Sequence, residues 1–186
     1  MTIPSNEILS ALAVEYGTPL WIYDAAAIRS RIRQLSAFDV VRFAQKACSN
    51  IHILREMRKA GVRVDAVSLG EIERAARAGF ATGTASEAAE IVFTADVFDR
   101  LTLERVIADK IEVNIGSIDM LHQLGERSPG HRVWLRINPG FGHGHSNKTN
   151  IGGENSKHGI WFEQLQDAVA LTQKYSLRLV GLHMHI

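Results

Sequence analysis

The sequence alternates short β-rich runs with runs of helical periodicity, and this alternation constrains the fold more than any other feature. Repeated strand–helix units of this kind indicate a parallel sheet whose strands are joined by helices. Strands are predicted at residues 40–47, 63–67, 90–94, 112–115, 132–138 and 178–186, after a first short strand at 19–23. Helices are predicted at residues 25–35, 51–60, 69–78, 99–109, 117–126 and 162–175. Asp24 is the predicted N-cap of the first helix, and Gly61 and Gly79 are predicted left-handed caps after two others.

Two architectures compete for this pattern: an open doubly wound sheet and a (β/α)8 barrel. A doubly wound dinucleotide-binding sheet places G-x-G-x-x-G after its first strand, whereas residues 46–50 read KACSN. We therefore expect a barrel. Eight strands need roughly 200 or more residues, and the 186-residue chain offers six after a strand and helix lead-in over residues 1–35. The predicted fold is an α/β, partial (β/α)8 TIM barrel over residues 36–186, truncated after about the sixth barrel strand. Its open edge predicts that the chain alone folds poorly or aggregates.

Lys46 lies near the carboxyl end of the apolar run 40–48, where a parallel α/β fold carries its functional groups. Burial there would strip water from the amine and favour its neutral form, which attacks carbonyl carbon as a Schiff-base lysine does. The alternative is that the side chain reaches past the apolar layer into water, as lysines near strand ends commonly do. The local sequence alone favours that alternative. Polar groups at the ends of other predicted strands favour a site.

Those other polar groups are Asp65, Arg136, His183 and His185. Asp65 in RVDAVS could pair with a lysine or hold a substrate group, although a solvated strand-end carboxylate is an equal alternative. Arg136 lies in the otherwise apolar WLRIN, where a buried guanidinium must find an anion or several carbonyls. His183 and His185 are two residues apart and point to the same side of their strand. One imidazole could stack on a planar cofactor while the other packs lower in the barrel.

A metal site is a weaker hypothesis, although five of the histidines fall in the last third of the chain: His143, His145, His158, His183 and His185. The sequence has no H-E-x-x-H motif and no cysteine pair, so we predict no metal. Residues 138–159 form a glycine-rich loop that is too long for an ordinary βα connection. Because it lacks the order G-x-x-x-x-G-K-[ST], it is predicted to be a lid or subunit-contact loop and not a phosphate loop.

Charge and composition exclude several classes of partner. The formal net charge is +1, and no long basic run is present, so nucleic acid is not an expected partner. No signal peptide and no apolar stretch long enough to span a bilayer are visible, which predicts no membrane association. The single cysteine, Cys48, cannot form an internal disulfide, and this fits a reducing cytoplasm.

Several longer stretches resemble the diaminopimelate decarboxylases, in the right order and from about Tyr16 to the final residue. They are VVRFAQKACSNIHILREMR, VDAVSLGEIERA, IVFTADV, SPGHRVWLRINPGFGHGHS, GGENSKHGIW and LVGLHMHI. The resemblance implies an alanine racemase-like, fold-type III enzyme that uses pyridoxal 5'-phosphate, with a C-terminal β-domain that this chain lacks. It also implies decarboxylation of meso-diaminopimelate to lysine by a homodimer, with the isolated chain inactive. The alternatives are another fold-type III decarboxylase or racemase, or a non-catalytic remnant.

The resemblance also implies roles for four residues. Lys46 in FAQKA is similar to the lysine that bonds to the cofactor aldehyde, and His185 in HMHI to the histidine that stacks on the pyridine ring. Asp65 and Arg136 occupy positions that border the cofactor in related decarboxylases. The family's phosphate-binding loop and the acidic partner of its pyridine nitrogen would lie beyond residue 186. Ile151 departs from the threonine of similar enzymes, which puts a hydroxyl contact of that loop in doubt.

Overall fold

A computed structural model describes residues 4–83, 89–142, 152–154 and 156–185 of the protein. The helices are α1 (Asn6–Tyr16), α2 (Ala25–Arg33), α3 (Ile51–Lys59), α4 (Leu69–Ala78), α5 (Arg100–Ala108), α6 (Ile118–Gly125) and α7 (Leu165–Lys174). The strands are β1 (Arg42–Ala44), β2 (Arg63–Ala66), β3 (Ile91–Ala95), β4 (Glu112–Ile115), β5 (Arg132–Asn138), β6 (Ile160–Trp161) and β7 (Arg178–His183). Short 3-10 turns follow β1 and β6.

Side chains at the helix N-termini explain why the helices begin where they do. Ser68, Asp99 and Ser117 each accept a hydrogen bond from a backbone N–H in the first turn of α4, α5 and α6. Asp24 caps α2 in the same way, as predicted. Each cap satisfies a donor that the helix itself leaves unpaired, typically stabilising the helix by about 1 kcal/mol. Gly79 ends α4 in the left-handed conformation, also as predicted.

The principal sheet is entirely parallel and runs in the order β1-β2-β3-β4-β5-β7. This order follows the chain without reversal, so the doubly wound alternative is wrong. The sheet curves strongly, as is shown by residues of β1 and β7 that line the same cavities inside it. The short β6 pairs with the end of β5. The fold is therefore a partial (β/α)8 barrel with six barrel strands, as predicted, and among the described strands β1 and β7 each have one neighbour in the sheet.

The main hydrophobic core lies outside the barrel, between the strands and the helices. Outward residues such as Val64, Phe93, Val113 and Leu135 are buried there against α4, α5 and α6. The inward residues alternate with them and are mostly polar, including Arg42, Arg63, Asp65, Thr94, Glu112, Asn114, Arg132, Trp134 and Arg136. The period-two alternation of each strand thus separates an apolar outer face from a polar inner one.

The structure differs from the predictions in two predicted strands and in two further elements. The predicted strand at residues 19–23 is wrong: these residues are irregular, and Trp21 is 87% exposed, because no described strand lies beside them. Helix α1 and strand β6 were not predicted. The last strand ends at His183, so His185 lies just beyond the sheet rather than within it. Among the described residues, no helix is both long and apolar enough to cross a membrane.

Candidate active site at the carboxyl ends of the strands

Strands β2, β3, β5 and β7, together with the turn after β1, direct polar side chains into one cavity of about 490 Å³ at the carboxyl ends of the strands. The four site residues predicted from the sequence, Lys46, Asp65, Arg136 and His185, all line this cavity. The remaining lining residues are Ala44, Val67, Thr94, Ala95, Asp96, His158 and His183. Residues separated by more than 130 positions in the chain therefore meet at one end of the barrel.

Lys46 lies in the 3-10 turn Gln45–Ala47, directly after β1. The side chain is exposed at the rim of the cavity, so the burial expected from the sequence is not observed. The cause is local: the chain leaves the strand at Gln45, whose own side chain is fully buried. The amine reaches the cavity from the turn and not from within the strand.

Asp65 projects inward from β2 beside the hydroxyl of Thr94 on β3. Asn114 Nδ2 on β4 donates to Thr94 Oγ1 at 3.4 Å, which links three neighbouring strands. Burial raises the pKa of Asp65 above the ordinary carboxyl value, against the opposing effects of the Thr94 hydrogen bond and the Lys46 charge. Asp65 Oδ1 has no hydrogen-bond partner among the described residues, so it is available to a ligand.

Asp96, at the end of β3, connects two cationic or potentially cationic side chains. Its Oδ2 accepts a hydrogen bond from His158 Nδ1 at 2.5 Å, and its Oδ1 is 3.6 Å from an Arg136 nitrogen. Because a carboxylate only accepts, Nδ1 of His158 is the donor in this contact. A Cβ at Gly116 would lie 3.0 Å from Asp96 Oδ1, so the glycine leaves room for this carboxylate.

His183 and His185 both face the cavity, as their spacing of two residues predicted. Burial, with smaller effects from Arg136 and His185, lowers the pKa of His183 to about 4. Burial also lowers the pKa of His185, with further effects from Arg136, Lys46 and His158. Both imidazoles are therefore neutral near pH 7. His183 lies lower in the barrel, since it also lines the cavity beneath.

The cavity beneath is about 530 Å³ and contains a buried charge cluster. Glu112 is fully buried and accepts from Arg132 Nε at 2.6 Å and from Trp134 Nε1 at 2.9 Å. Arg42 approaches the same carboxylate at 3.8 Å, and Arg63 lines the same space. Although this cavity is the larger, its carboxylate is already satisfied by side chains of the barrel. The upper cavity, with two buried carboxylate oxygens that have no hydrogen-bond partner among the described residues, is the better candidate site.

Sequence reasoning missed Thr94, Asp96 and the role of His158. The first two could have been found, because the period of two along β3 places Thr94 and Asp96 on the same face as Val92, which also points inward. His158 was considered only as a metal ligand. No group of three or more potential metal-binding side chains occurs among the described residues. His143, His145 and Ile151 lie outside them.

A parallel partial barrel with a lysine, an arginine and histidines at its strand ends defines an α/β-barrel protein whose candidate site lies at the carboxyl face of the sheet. Residues 25–186 match the family model of the pyridoxal-dependent decarboxylase, pyridoxal binding domain, and the chain belongs to this family.

Individual relatives are similar over nearly the whole chain. The diaminopimelate decarboxylase of Escherichia coli K12 is 64% identical over 180 residues, which are 97% of this chain and 42% of that protein. A crystal structure of diaminopimelate decarboxylase, also 64% identical, superposes with a TM-score of 0.90 over 97% of this chain and 42% of that one. The Helicobacter pylori diaminopimelate decarboxylase complexed with L-lysine is 25% identical, with a TM-score of 0.81 over 96% of this chain and 46% of that one. The chain thus spans about two fifths of the length of these relatives.

Proposed function

We propose that the protein carrying this chain is a diaminopimelate decarboxylase, a pyridoxal-phosphate-dependent carboxy-lyase that forms L-lysine from meso-diaminopimelate in lysine biosynthesis. The observation that carries the proposal is the single cavity shared by Lys46, Asp65, Arg136 and His185. The similarity to the Escherichia coli decarboxylase supports the choice of substrate. Because the chain spans 42% of that relative, activity is proposed for the full protein and not for these residues alone.

The residues of the cavity fit a pyridoxal phosphate cofactor. The cofactor is a planar aromatic ring with an aldehyde and polar substituents, and it needs an amine, a face to stack on and hydrogen-bonding groups. Lys46 supplies the amine, and the neutral His185 supplies an aromatic face. Buried polar atoms without a partner among the described residues also face this region: Asp65 Oδ1, Asp96 Oδ1 and His183 Nδ1. Unpaired buried acceptors are costly, so a polar ligand that satisfies them would bind favourably.

Each residue then has a role that its position supports. Lys46 would hold the cofactor through its amine, and His185 would orient the ring by offering it an aromatic face. Asp65, whose pKa burial raises, offers Oδ1 to a polar group of a ligand within the electrostatic reach of Lys46. Arg136 offers guanidinium donors to an oxyanion in the cavity. The bound cofactor supplies the electron sink that lets the substrate lose its carboxylate as carbon dioxide.

The test uses the full protein with pyridoxal 5'-phosphate. We expect a visible absorbance band from the lysine-bound cofactor that Lys46→Ala abolishes. Lys59→Ala is the matched control, because Lys59 is 73% exposed on α3 and pairs with Glu56 on the same helix. An unchanged band in the Lys46 variant would overturn the assignment of the amine.

Product analysis then tests the substrate. Incubation with meso-diaminopimelate should give L-lysine, whereas ornithine and arginine should give no product above background. Turnover of ornithine or arginine in preference to diaminopimelate would favour another fold-type III decarboxylase, and racemisation without loss of carbon dioxide would favour a racemase. We also propose that the full protein is a cytoplasmic homodimer with shared sites. Light scattering of the full protein would test whether it is a dimer.

A further inference from the structure

Asp96 is placed between two partners that compete for its charge. His158 donates a hydrogen bond to Oδ2 at 2.5 Å, while Arg136 remains at 3.6 Å from Oδ1, beyond hydrogen-bonding distance. Oδ1 is buried and has no hydrogen-bond partner among the described residues. The carboxylate is therefore oriented by the imidazole, and the guanidinium is left close to it but not hydrogen-bonded to it.

Arg136 consequently keeps much of its donor capacity. Its side chain is only 11% exposed, and no described residue accepts a hydrogen bond from it. Its charge acts on both imidazoles across the cavity, since it contributes to lowering the pKa of His183 and of His185. A nearly buried guanidinium with free donors is a receptor for an oxyanion.

We propose that Asp96 and His158 form a positioning pair that determines how far the charge of Arg136 is available to an oxyanion bound in the cavity. The hydrogen bond from His158 satisfies one carboxylate oxygen and fixes the orientation of the group. Without that donor, the carboxylate would turn to its other neighbour and form a direct ion pair with Arg136. The guanidinium would then be occupied by Asp96 instead of the ligand. Under the proposed function, the oxyanion belongs to the cofactor or to a substrate carboxylate, so this identification of the ligand rests on that function.

A purely structural role for the pair predicts something different. His158 lies in the segment that returns to β6, and Asp96 directly follows β3, so their hydrogen bond also joins two parts of the chain that are 62 residues apart. If joining them were its only role, loss of the bond would loosen that segment without changing the state of Arg136. Any effect would then be the same whether or not residue 96 carries a charge.

The state of Arg136 can be measured without any cofactor. We suggest modifying the full apo-protein with phenylglyoxal and following the rate at Arg136 by peptide mass spectrometry. Arg100 is the internal reference, since it lies on the surface with its side chain 78% exposed. The set comprises the wild type, His158→Phe, His158→Asn, Asp96→Asn and the double variant H158F/D96N. His158→Phe keeps the ring volume without a donor, whereas His158→Asn retains a donor for Asp96.

We expect His158→Phe to slow the modification of Arg136 relative to Arg100 by roughly three- to tenfold, the scale of one hydrogen bond in such a pair. His158→Asn should stay within about twofold of the wild type, and Asp96→Asn should speed the reaction, because the competing charge is gone. In the D96N background the His158→Phe change should have no further effect. An unchanged rate in His158→Phe, or an equal slowing with and without Asp96, would overturn the proposal. If His158→Phe fails to fold, Asp96→Asn still decides, since a rate no faster than that of the wild type contradicts the competition.

Two binding measurements distinguish the sources of the oxyanion. Pyridoxal 5'-phosphate is titrated into the apo-proteins, and L-lysine into the cofactor-loaded proteins. Weakening by His158→Phe in the first titration indicates a cofactor oxyanion, and weakening only in the second indicates a substrate carboxylate. Slowed modification with neither titration affected would refute the ligand-binding role of Arg136. A wild-type protein that binds no pyridoxal phosphate would refute the proposed function, while the modification rates would still test the positioning pair.

Discussion

Removing the negative charge of Glu112 should destabilise the barrel more than any substitution at an exposed ion pair. Glu112 is fully buried, and both of its oxygens are used, by Arg132 at 2.6 Å and by Trp134 at 2.9 Å. Glu112→Gln keeps one acceptor and replaces the other with an NH2 group that faces a donor. The unpaired buried donor costs about 1–3 kcal/mol, and loss of the ionic partner of Arg132 adds to it. Breaking a buried pair costs about 3–5 kcal/mol in total.

The expected cost lies at the lower end of that range, about 3 kcal/mol, because the stranded guanidiniums have some access to water. The side chains of Arg132 and Arg42 are 14% and 20% exposed. Urea unfolding of the full protein, followed by tryptophan fluorescence, measures the loss as a shift of the midpoint at constant m-value. Glu104→Gln is the control, since Glu104 forms an exposed pair with Arg100 and should change stability by less than about 0.5 kcal/mol. Equal effects of the two substitutions would refute the claim that the lower cluster stabilises the barrel.

Two further predictions concern stability. His131 is buried and donates from Nε2 to the Ile111 carbonyl, and burial lowers its pKa below the ordinary value of 6.5. As the pH falls below 6.5, the unfolded chain therefore takes up a proton at His131 that the folded chain does not, and the free energy of unfolding should decline. Thermal unfolding across pH should show a smaller decline in His131→Gln. Gly125→Ala should lower the free energy of unfolding by about 1–3 kcal/mol, because the added Cβ would lie 2.4 Å from the Tyr175 ring. The control is Gly70→Ala in α4, whose Cβ would meet nothing closer than 4.0 Å and which should be neutral or slightly stabilising. Equal losses of stability in urea unfolding would contradict the clash.

Local periodicity in the sequence was sufficient to predict the barrel strands and most of the helices. The strands and the helices that pack on them have apolar residues at regular intervals, and capping residues such as Ser68 and Ser117 mark the helix starts. The two errors at the N-terminal end have different physical causes. The apolar residues of helix α1 are not concentrated on one face, so the helical period is weak there. Residues 19–23 have strand-forming side chains, but a strand also needs a neighbour, which local propensity does not supply.

The site was predictable only as far as strand ends could be recognised. Lys46, Asp65 and Arg136 follow from the rule that the carboxyl ends of parallel strands meet at one face. The Asp96–His158 pair depends on the return path of the segment before β6, and no spacing rule connects residues 62 positions apart. The exposure of Lys46 could not be predicted either, because the 3-10 turn that carries it places Gln45, and not Lys46, in the buried position.

The same strands carry two polar layers, and the hydrogen bonding of their carboxylates separates their roles. In the lower layer, both oxygens of Glu112 are hydrogen-bonded to side chains of the next strand, so the charge is satisfied by the fold itself. In the upper layer, Asp65 Oδ1 and Asp96 Oδ1 are buried without hydrogen-bond partners among the described residues. A fold gains nothing from an unsatisfied buried acceptor, and each costs about 1–3 kcal/mol. A ligand in the upper cavity would supply hydrogen-bond partners for these two carboxylate oxygens. The upper cavity, and not the larger cavity below it, is therefore the better candidate for an active site.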